Sequence, residues 1–421
     1  MTGFESYRLP EVPDYLGFPR ACDPYIARIL SRTAPPLRFG FVCSTPHCTG
    51  SQPESGSDWW SVEASPDHVL QGLQWHRIGP VLYERSNQQG GLERLPRWLR
   101  GYLKRSYLRS TAMNLAIEAG LVDLLRAFHD TGITVILLKG TALMRTVYDR
   151  VGLRPMLDVD LLVRTEHLKQ AVSLMACAGY RPMTARKHFE REHHLQFVRA
   201  SKGTEGLFVE LHWRLSDQPE LAELLPLGDL WARAVSAPRS WPNALVFDLC
   251  DQTLHATLHL AEHHGIPQLR WLCDLHELSH EIARGGAWQT LARRAVQHDL
   301  HLVLAAALQE TQRWFGTDIP EDFSLELSGG LPPSRAAVRA FGRCGTPSLA
   351  KSELHELRSI RTLHDKMAHV LYLLFPNASF MRRRHRVPRG YPIWPYYVLR
   401  LVKGVHTGVR GLLQLSSETE V

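Results

Sequence analysis

Leu157-Asp158-Val159-Asp160-Leu161-Leu162-Val163 sets two carboxylates one residue apart inside an otherwise apolar, β-prone run. In a strand, residues i and i+2 point to one face, so Asp158 and Asp160 project side by side while Leu157, Val159 and Leu161 face the other way. Adjacent like charges on a buried sheet are costly unless a cation lies between them. The stretch therefore predicts a divalent-metal site at a strand end.

Upstream, Ile133-Thr134-Val135-Ile136-Leu137-Leu138 reads as a fully buried strand that delivers the chain into Lys139-Gly140-Thr141. Thr141 is the expected N-cap of a helix through Ala142, Leu143, Met144 and Val147. Backbone N–H groups at such a turn, with the helix dipole behind them, favour an anion, and Gly140 lets a phosphate approach the backbone. Lys139 is suited to steady a triphosphate as a point charge, and Arg145 or Arg154 through a bidentate guanidinium.

Downstream, a helix is expected from Glu166 to about Ala178, ending at Gly179. His194–Val198 and Leu207–Trp213 then bracket a polar, Gly-bearing stretch and predict an antiparallel hairpin. In its second strand Phe208, Glu210 and His212 share one face, which makes Glu210 a third carboxylate of interest.

An earlier helix is expected between Ser110 and Asp130, with Leu115, Leu121, Leu124, Leu125 and Phe128 inward. The periodicity from Asp67 to Leu82 predicts a small helical unit before it. From Asp251 onward the chain reads as mostly helical. These signals divide it into an irregular segment over 1–65, an N-terminal helical region over 66–131, a core over 132–240, a helical domain over 241–380 and a basic, aromatic tail over 381–421.

The whole chain has 421 residues, 44% of them hydrophobic and 22% charged, a composition that excludes disorder as the default. Its 49 basic and 42 acidic residues leave +7, which favours anionic ligands without choosing one. Seven scattered Cys and an N-terminus without signal-peptide organisation point to a reducing cytoplasm. Cys43, His47 and Cys48 have no second pair at zinc-finger spacing.

No apolar run reaches the ~18–20 residues of a membrane span, so no integral membrane association is expected; Met367–Phe375 reads as a buried helix. His255, His259 and His263 recur at i, i+4 and i+8 on a predicted helix, with Asp274 nearby. They lack the acid that follows the first His in zinc proteases, and they read as cleft-lining or hydrogen-bonded helix residues. Arg382, Arg383, Arg384, Arg386 and Arg389, followed by Trp394, Tyr396 and Tyr397, suit nucleic-acid binding, an anionic surface, or packing against the body.

Taken together, strand, Lys-Gly-Thr turn, helix, Asp-x-Asp strand, helix and Glu-bearing hairpin resemble the nucleotidyltransferases of the DNA polymerase β superfamily. Leu138-Lys139-Gly140, Arg154, Leu157–Val163, Gly179-Tyr180 and Val209-Glu210-Leu211-His212-Trp213 are similar more narrowly to a bacterial family of uncharacterised nucleotidyltransferases. The chain departs from the superfamily pattern in its Gly140-Thr141 turn and in the sixteen residues between Thr141 and Asp158.

The resemblance implies an α+β fold: a polymerase β-like nucleotidyltransferase domain with a small mixed sheet, flanked by N-terminal helices and a C-terminal helical domain. It implies that Asp158, Asp160 and Glu210 hold Mg²⁺ or Mn²⁺, and that Lys139, Gly140, Thr141, Arg145 and Arg154 contact the nucleotide. The implied activity, of the EC 2.7.7 type, moves a nucleoside monophosphate from a nucleoside triphosphate to a hydroxyl or phosphate of a peptide or protein, a small molecule or an RNA end, releasing pyrophosphate. A phosphotransferase using the same site and a catalytically silent nucleotide- or RNA-binding module are the alternatives.

Overall fold

The structure is a computed structural model that describes residues 66–183, 193–201, 204–216, 219–238, 241, 243–262, 268–328, 367, 381 and 392–398. The Cys43/His47/Cys48 group, His263 and the arginines of the tail lie outside the described residues. The chain divides into two units, 1–345 and 346–421. In the second unit residues 394–398 are helical, with Trp394 exposed, and Met367 of the expected buried helix is exposed.

The first unit opens with helices α1 (Pro66–His76), α2 (Gly79–Gln88) and the long α3 (Arg97–Asp130). The sequence predicts α3 only from Ser110, because its buried stripe is Leu99, Leu103, then polar Ser110 and Asn114, before the apolar spacing becomes dense at Ile117, Leu121, Leu124, Leu125 and Phe128. Buried polar positions interrupt the periodic signal without interrupting the helix.

Strand β1 (Val135–Leu137) follows, then α4 (Lys139–Thr146), β2 (Val159–Val163) and α5 (Leu168–Cys177). Next come β3 (Arg181–Pro182), β4 (His194–Ser201), β5 (Thr204–His212), α6 (Pro219–Leu224) and α7 (Leu227–Arg233). Short strands β6 (Val235–Ser236) and β7 (Ala244–Val246) precede the helices α8 (Leu249–Glu262), α9 (Leu269–Arg284), α10 (Trp288–Gln297), α11 (His301–Phe315) and α12 (Glu321–Ser328).

The strands form one mixed sheet in the order β3-β4-β5-β2-β1-β7-β6. The hairpin β4–β5 is antiparallel, β5 runs parallel to β2, β2 antiparallel to β1, and β1 parallel to β7. With its flanking helices the unit has an α+β architecture. The short strands β3, β6 and β7 have no counterpart in the sequence reading, because two or three residues are too few for a period of two to register.

Side-chain alternation divides the core between the two faces of the sheet. Val135, Leu137, Leu161, Val163, Val209 and Leu211 pack with α3 and α5. Ile136, Leu138 and Leu162 pack instead with α6–α8 and α10–α12. A third cluster joins α1 and α2 to α9 through Leu73, Leu82, Leu99, Leu103, Leu272 and Leu275. With apolar layers on both sides, β1 and β2 are buried throughout, which explains why their sequences are apolar save for Asp160.

Candidate active site

Strand β2 begins at Val159, so Asp158 lies one residue before it and Leu157 is 52% exposed rather than turned into the opposite face. Asp160 sits within the strand, 4% exposed, on the face that also carries Leu162. The β2–β5 register sets Asp160 beside Glu210 and Leu162 beside His212; the β4–β5 register adds Gln196 opposite Glu210 and His194 opposite His212. Sheet pairing thus gathers residues from three strands into one polar patch.

Lys139 supplies the patch with its cation. Its Nζ lies 2.8 Å from Asp160 Oδ1 and 3.7 Å from Glu210 Oε2. The lysine adopts φ 48°, the left-handed region, where the chain leaves β1 for α4. That conformation costs a non-glycine residue ~1–2 kcal/mol, so the turn holds strain at the point where it delivers the ammonium.

Thr141 lies inside α4, whose first residue is Lys139 and whose N-terminus has no side-chain cap. Its hydroxyl accepts a hydrogen bond of 3.1 Å from the Asp160 backbone N–H, tying the helix to the carboxylate strand. This differs from the cap expected of Thr141: the N-cap is Leu138, three residues earlier, which frees the Thr141 side chain to bind β2.

Gly140 is buried, and a Cβ there would meet Arg154 Nη1 at 3.0 Å. The Arg154 guanidinium is itself buried and doubly bonded to Asp274 of α9, Nε to Oδ1 at 2.7 Å and Nη2 to Oδ2 at 2.8 Å. Tyr148 donates to the same Asp274 oxygen at 2.7 Å. Asn114 of α3 grips the connecting loop, donating to the carbonyls of Val151 at 2.5 Å and Arg154 at 2.8 Å. The long loop between α4 and β2 is therefore secured on two sides. Arg145 is clasped by Glu118, with Nε–Oε1 2.9 Å and Nη2–Oε2 2.6 Å.

Electrostatics separates the three carboxylates. Burial pushes Asp158 up to about 6, and the negative charges of Asp160 and Glu210 add to it against the opposing Lys139 and Arg270. Burial would also raise Asp160, but Lys139 and the His212 hydrogen bond outweigh it and hold this carboxyl well below the usual range. At Glu210 burial is likewise outweighed, chiefly by the bond from His212, and the carboxyl titrates lower than usual. Lys139 loses basicity to burial yet gains more from Asp160 and Glu210, so its pKa is raised. Lys139 is thus shared among three acids, and burial leaves Asp158 the most readily protonated of them.

The site includes residues for which the sequence reading had no role. His212, 1% exposed, brings Nε2 to 3.0 Å from Asp160 Oδ1 and 3.4 Å from Glu210 Oε2. Gln196 donates to Glu210 Oε1 at 2.9 Å. Arg77 and Arg270 exert their charge on Asp158 from α1–α2 and α9. The Glu-x-His spacing on one strand face could have revealed His212. His194 and Gln196 depend on a register that only the folded hairpin fixes.

A narrow cavity of about 30 Å³ adjoins Lys139 and is lined by Arg154, Phe247, His255, His259, Trp271 and Asp274, among others. Two residues of the predicted histidine helix thus face a cavity. Burial, aided by the charge of Lys139, lowers His255 to about 3, keeping it neutral.

The donor set fits a divalent cation. One ligand atom each from Asp160, Glu210 and His212 lies within 4.8 Å of the others, while Asp158, one residue before β2, is not in that group. Among the described residues no helix is long and apolar enough to cross a membrane. No curated protein matches the chain. Residues 63–316, which contain every strand of the sheet and this entire polar patch, match the family model described as uncharacterised nucleotidyltransferase, and the chain belongs to that family.

Proposed function

We propose that the protein is a metal-dependent nucleotidyltransferase of the polymerase β-like superfamily, acting in the bacterial cytoplasm. It moves a nucleoside monophosphate from a nucleoside triphosphate to an acceptor hydroxyl or phosphate and releases pyrophosphate, an EC 2.7.7-type reaction. The observation that carries this reading is the pairing of Asp160 with Glu210 across adjacent strands, with Asp158 one residue before the first of them and pushed up to about 6. A site that leaves a buried carboxylate short of positive charge is suited to a cation arriving with its substrate.

Asp158, Asp160 and Glu210 would hold Mg²⁺ or Mn²⁺, which when bound neutralises phosphate charge and lowers the pKa of the acceptor. Lys139 stands among the carboxylates and would turn to the triphosphate when a cation takes over its charge pairing. Thr141 fixes Asp160 through its backbone. Gly140 and Arg154 hold α4 and the loop at their correct separation, and Arg145 secures α4 to α3 through Glu118. These residues serve the nucleotide by positioning Lys139 and Asp158, while Arg77 and Arg270 add positive charge on the Asp158 side.

The acceptor classes remain peptide or protein, small molecule and RNA end. Mass spectrometry of acceptor pools incubated with each triphosphate and Mg²⁺ tests the reaction type. The proposal expects a nucleotide adduct with one pyrophosphate released per transfer. An added phosphate alone would establish a phosphotransferase, and binding without product would establish a silent nucleotide- or RNA-binding module.

A further inference from the structure

His212 makes its carboxylate contacts through Nε2 alone. Nε2 lies 3.0 Å from Asp160 Oδ1 and 3.4 Å from Glu210 Oε2. Nδ1 takes no part in these contacts. It is buried and has no hydrogen-bond partner among the described residues. A buried ring nitrogen without a partner calls for an explanation.

Two further imidazoles gather at the same ring. The centroids of His194 and His193 lie 4.9 and 5.5 Å from that of His212, and 4.3 Å from each other. One nitrogen from each of the three histidines lies within 4.8 Å of the others. His194 Nδ1 and His193 Nε2 are already 2.8 Å apart.

We propose that His193, His194 and His212 form a transition-metal site, of the three-histidine type that takes Zn²⁺ or Co²⁺, next to the carboxylate cluster. A histidine ligand commonly donates its second ring N–H to a carboxylate, which fixes its tautomer and strengthens it as a ligand. His212 has this arrangement, with Asp160 as the carboxylate. Nitrogen ligands select a borderline cation over Mg²⁺, whose preference is for oxygen. Three imidazoles around a tetrahedral ion at ~2.0–2.1 Å stand about 3.3 Å apart and leave a fourth position open. The His193–His194 pair would part by about half an ångström to reach that spacing.

The site does not depend on the nucleotide reading, and its test uses no nucleotide. The full chain, freed of metal with a chelator, is titrated with Co²⁺ and followed by visible absorption. The expected result is one equivalent with an intense tetrahedral spectrum, retained in Asp158→Asn and weakened on the order of 100-fold in His193→Gln/His194→Gln. Circular dichroism of the metal-free variant reports whether it folds.

X-ray absorption at the zinc edge of the wild-type protein supplies a measurement that needs no variant, and should count three imidazole nitrogens. A weak octahedral cobalt spectrum, cobalt binding unchanged in the folded double variant, or fewer than three imidazoles on zinc would overturn the proposal.

Discussion

Asp158 holds its proton more tightly in the folded protein than in the unfolded chain, where a carboxyl titrates near 3.8. The native state therefore binds more protons between those two values. The group's stabilising contribution is complete below about 3.8 and is lost as pH rises through about 6. Ionised Asp158 destabilises the metal-free protein by about 2–3 kcal/mol. Metal-free Asp158→Asn should accordingly melt higher than wild type at pH 7.5, with the difference vanishing near pH 4, as read by thermal unfolding in chelator. A lower melting temperature at pH 7.5 would contradict the raised pKa of Asp158. Asp160 and Glu210, depressed instead of raised, contribute in the opposite sense: their stabilisation is lost as pH falls through their folded values.

Arg154 and Asp274 form a buried, doubly bonded pair whose separation in sequence conceals it. Removing one partner leaves an uncompensated buried charge, which costs about 3–5 kcal/mol. Asp274→Asn should lose stability on that order by denaturant unfolding, although Asp274 makes no described contact with the carboxylate cluster. Asp274 was visible in the sequence only as an acid near the histidine helix, because nothing local states that its partner is the loop before β2.

At the scale of elements, the β1–α4 turn illustrates what local sequence conveys. The buried strand, the glycine and the helix after it were readable from apolar runs and turn chemistry. The direction of fit was not: Gly140 is small because Arg154 lies against it. Alanine would gain about 1 kcal/mol in helix propensity but must push a guanidinium that Asp274 holds in place. Gly140→Ala should therefore be net destabilising, by about 1 kcal/mol, in equilibrium unfolding. A more stable variant would mean that Arg154 can yield.

The hairpin and its two strands were legible from alternation, and so was the common face of Glu210 and His212. Which residue of β4 meets which of β5 was not, and with that register went Gln196 and His194. A period of two names a face, whereas a partner requires the folded pairing.

Across the first unit, α3 contributes Leu99 and Leu103 to the cluster shared with α1, α2 and α9, and Leu121, Leu125 and Phe128 to the layer against the sheet. The Asp-x-Asp strand is thus held between an N-terminal helix and helices beyond residue 249. Residues 132–240 expressed alone would expose both apolar layers and lack β7, the parallel neighbour of β1. That fragment should show no cooperative thermal transition, while residues 63–328 should melt as a folded unit. A cooperative transition in the shorter fragment would show the sheet to be independent of its helical covers.

The central claim is that Asp158 and Asp160 bind a divalent cation together with a nucleoside triphosphate. Isothermal titration of each triphosphate in Mg²⁺, against wild type and Asp158→Asn/Asp160→Asn, tests it most directly. The double variant should lose tenfold or more in affinity and should no longer distinguish Mg²⁺ from chelator. Metal-dependent nucleotide binding of unchanged strength in that variant would contradict the account.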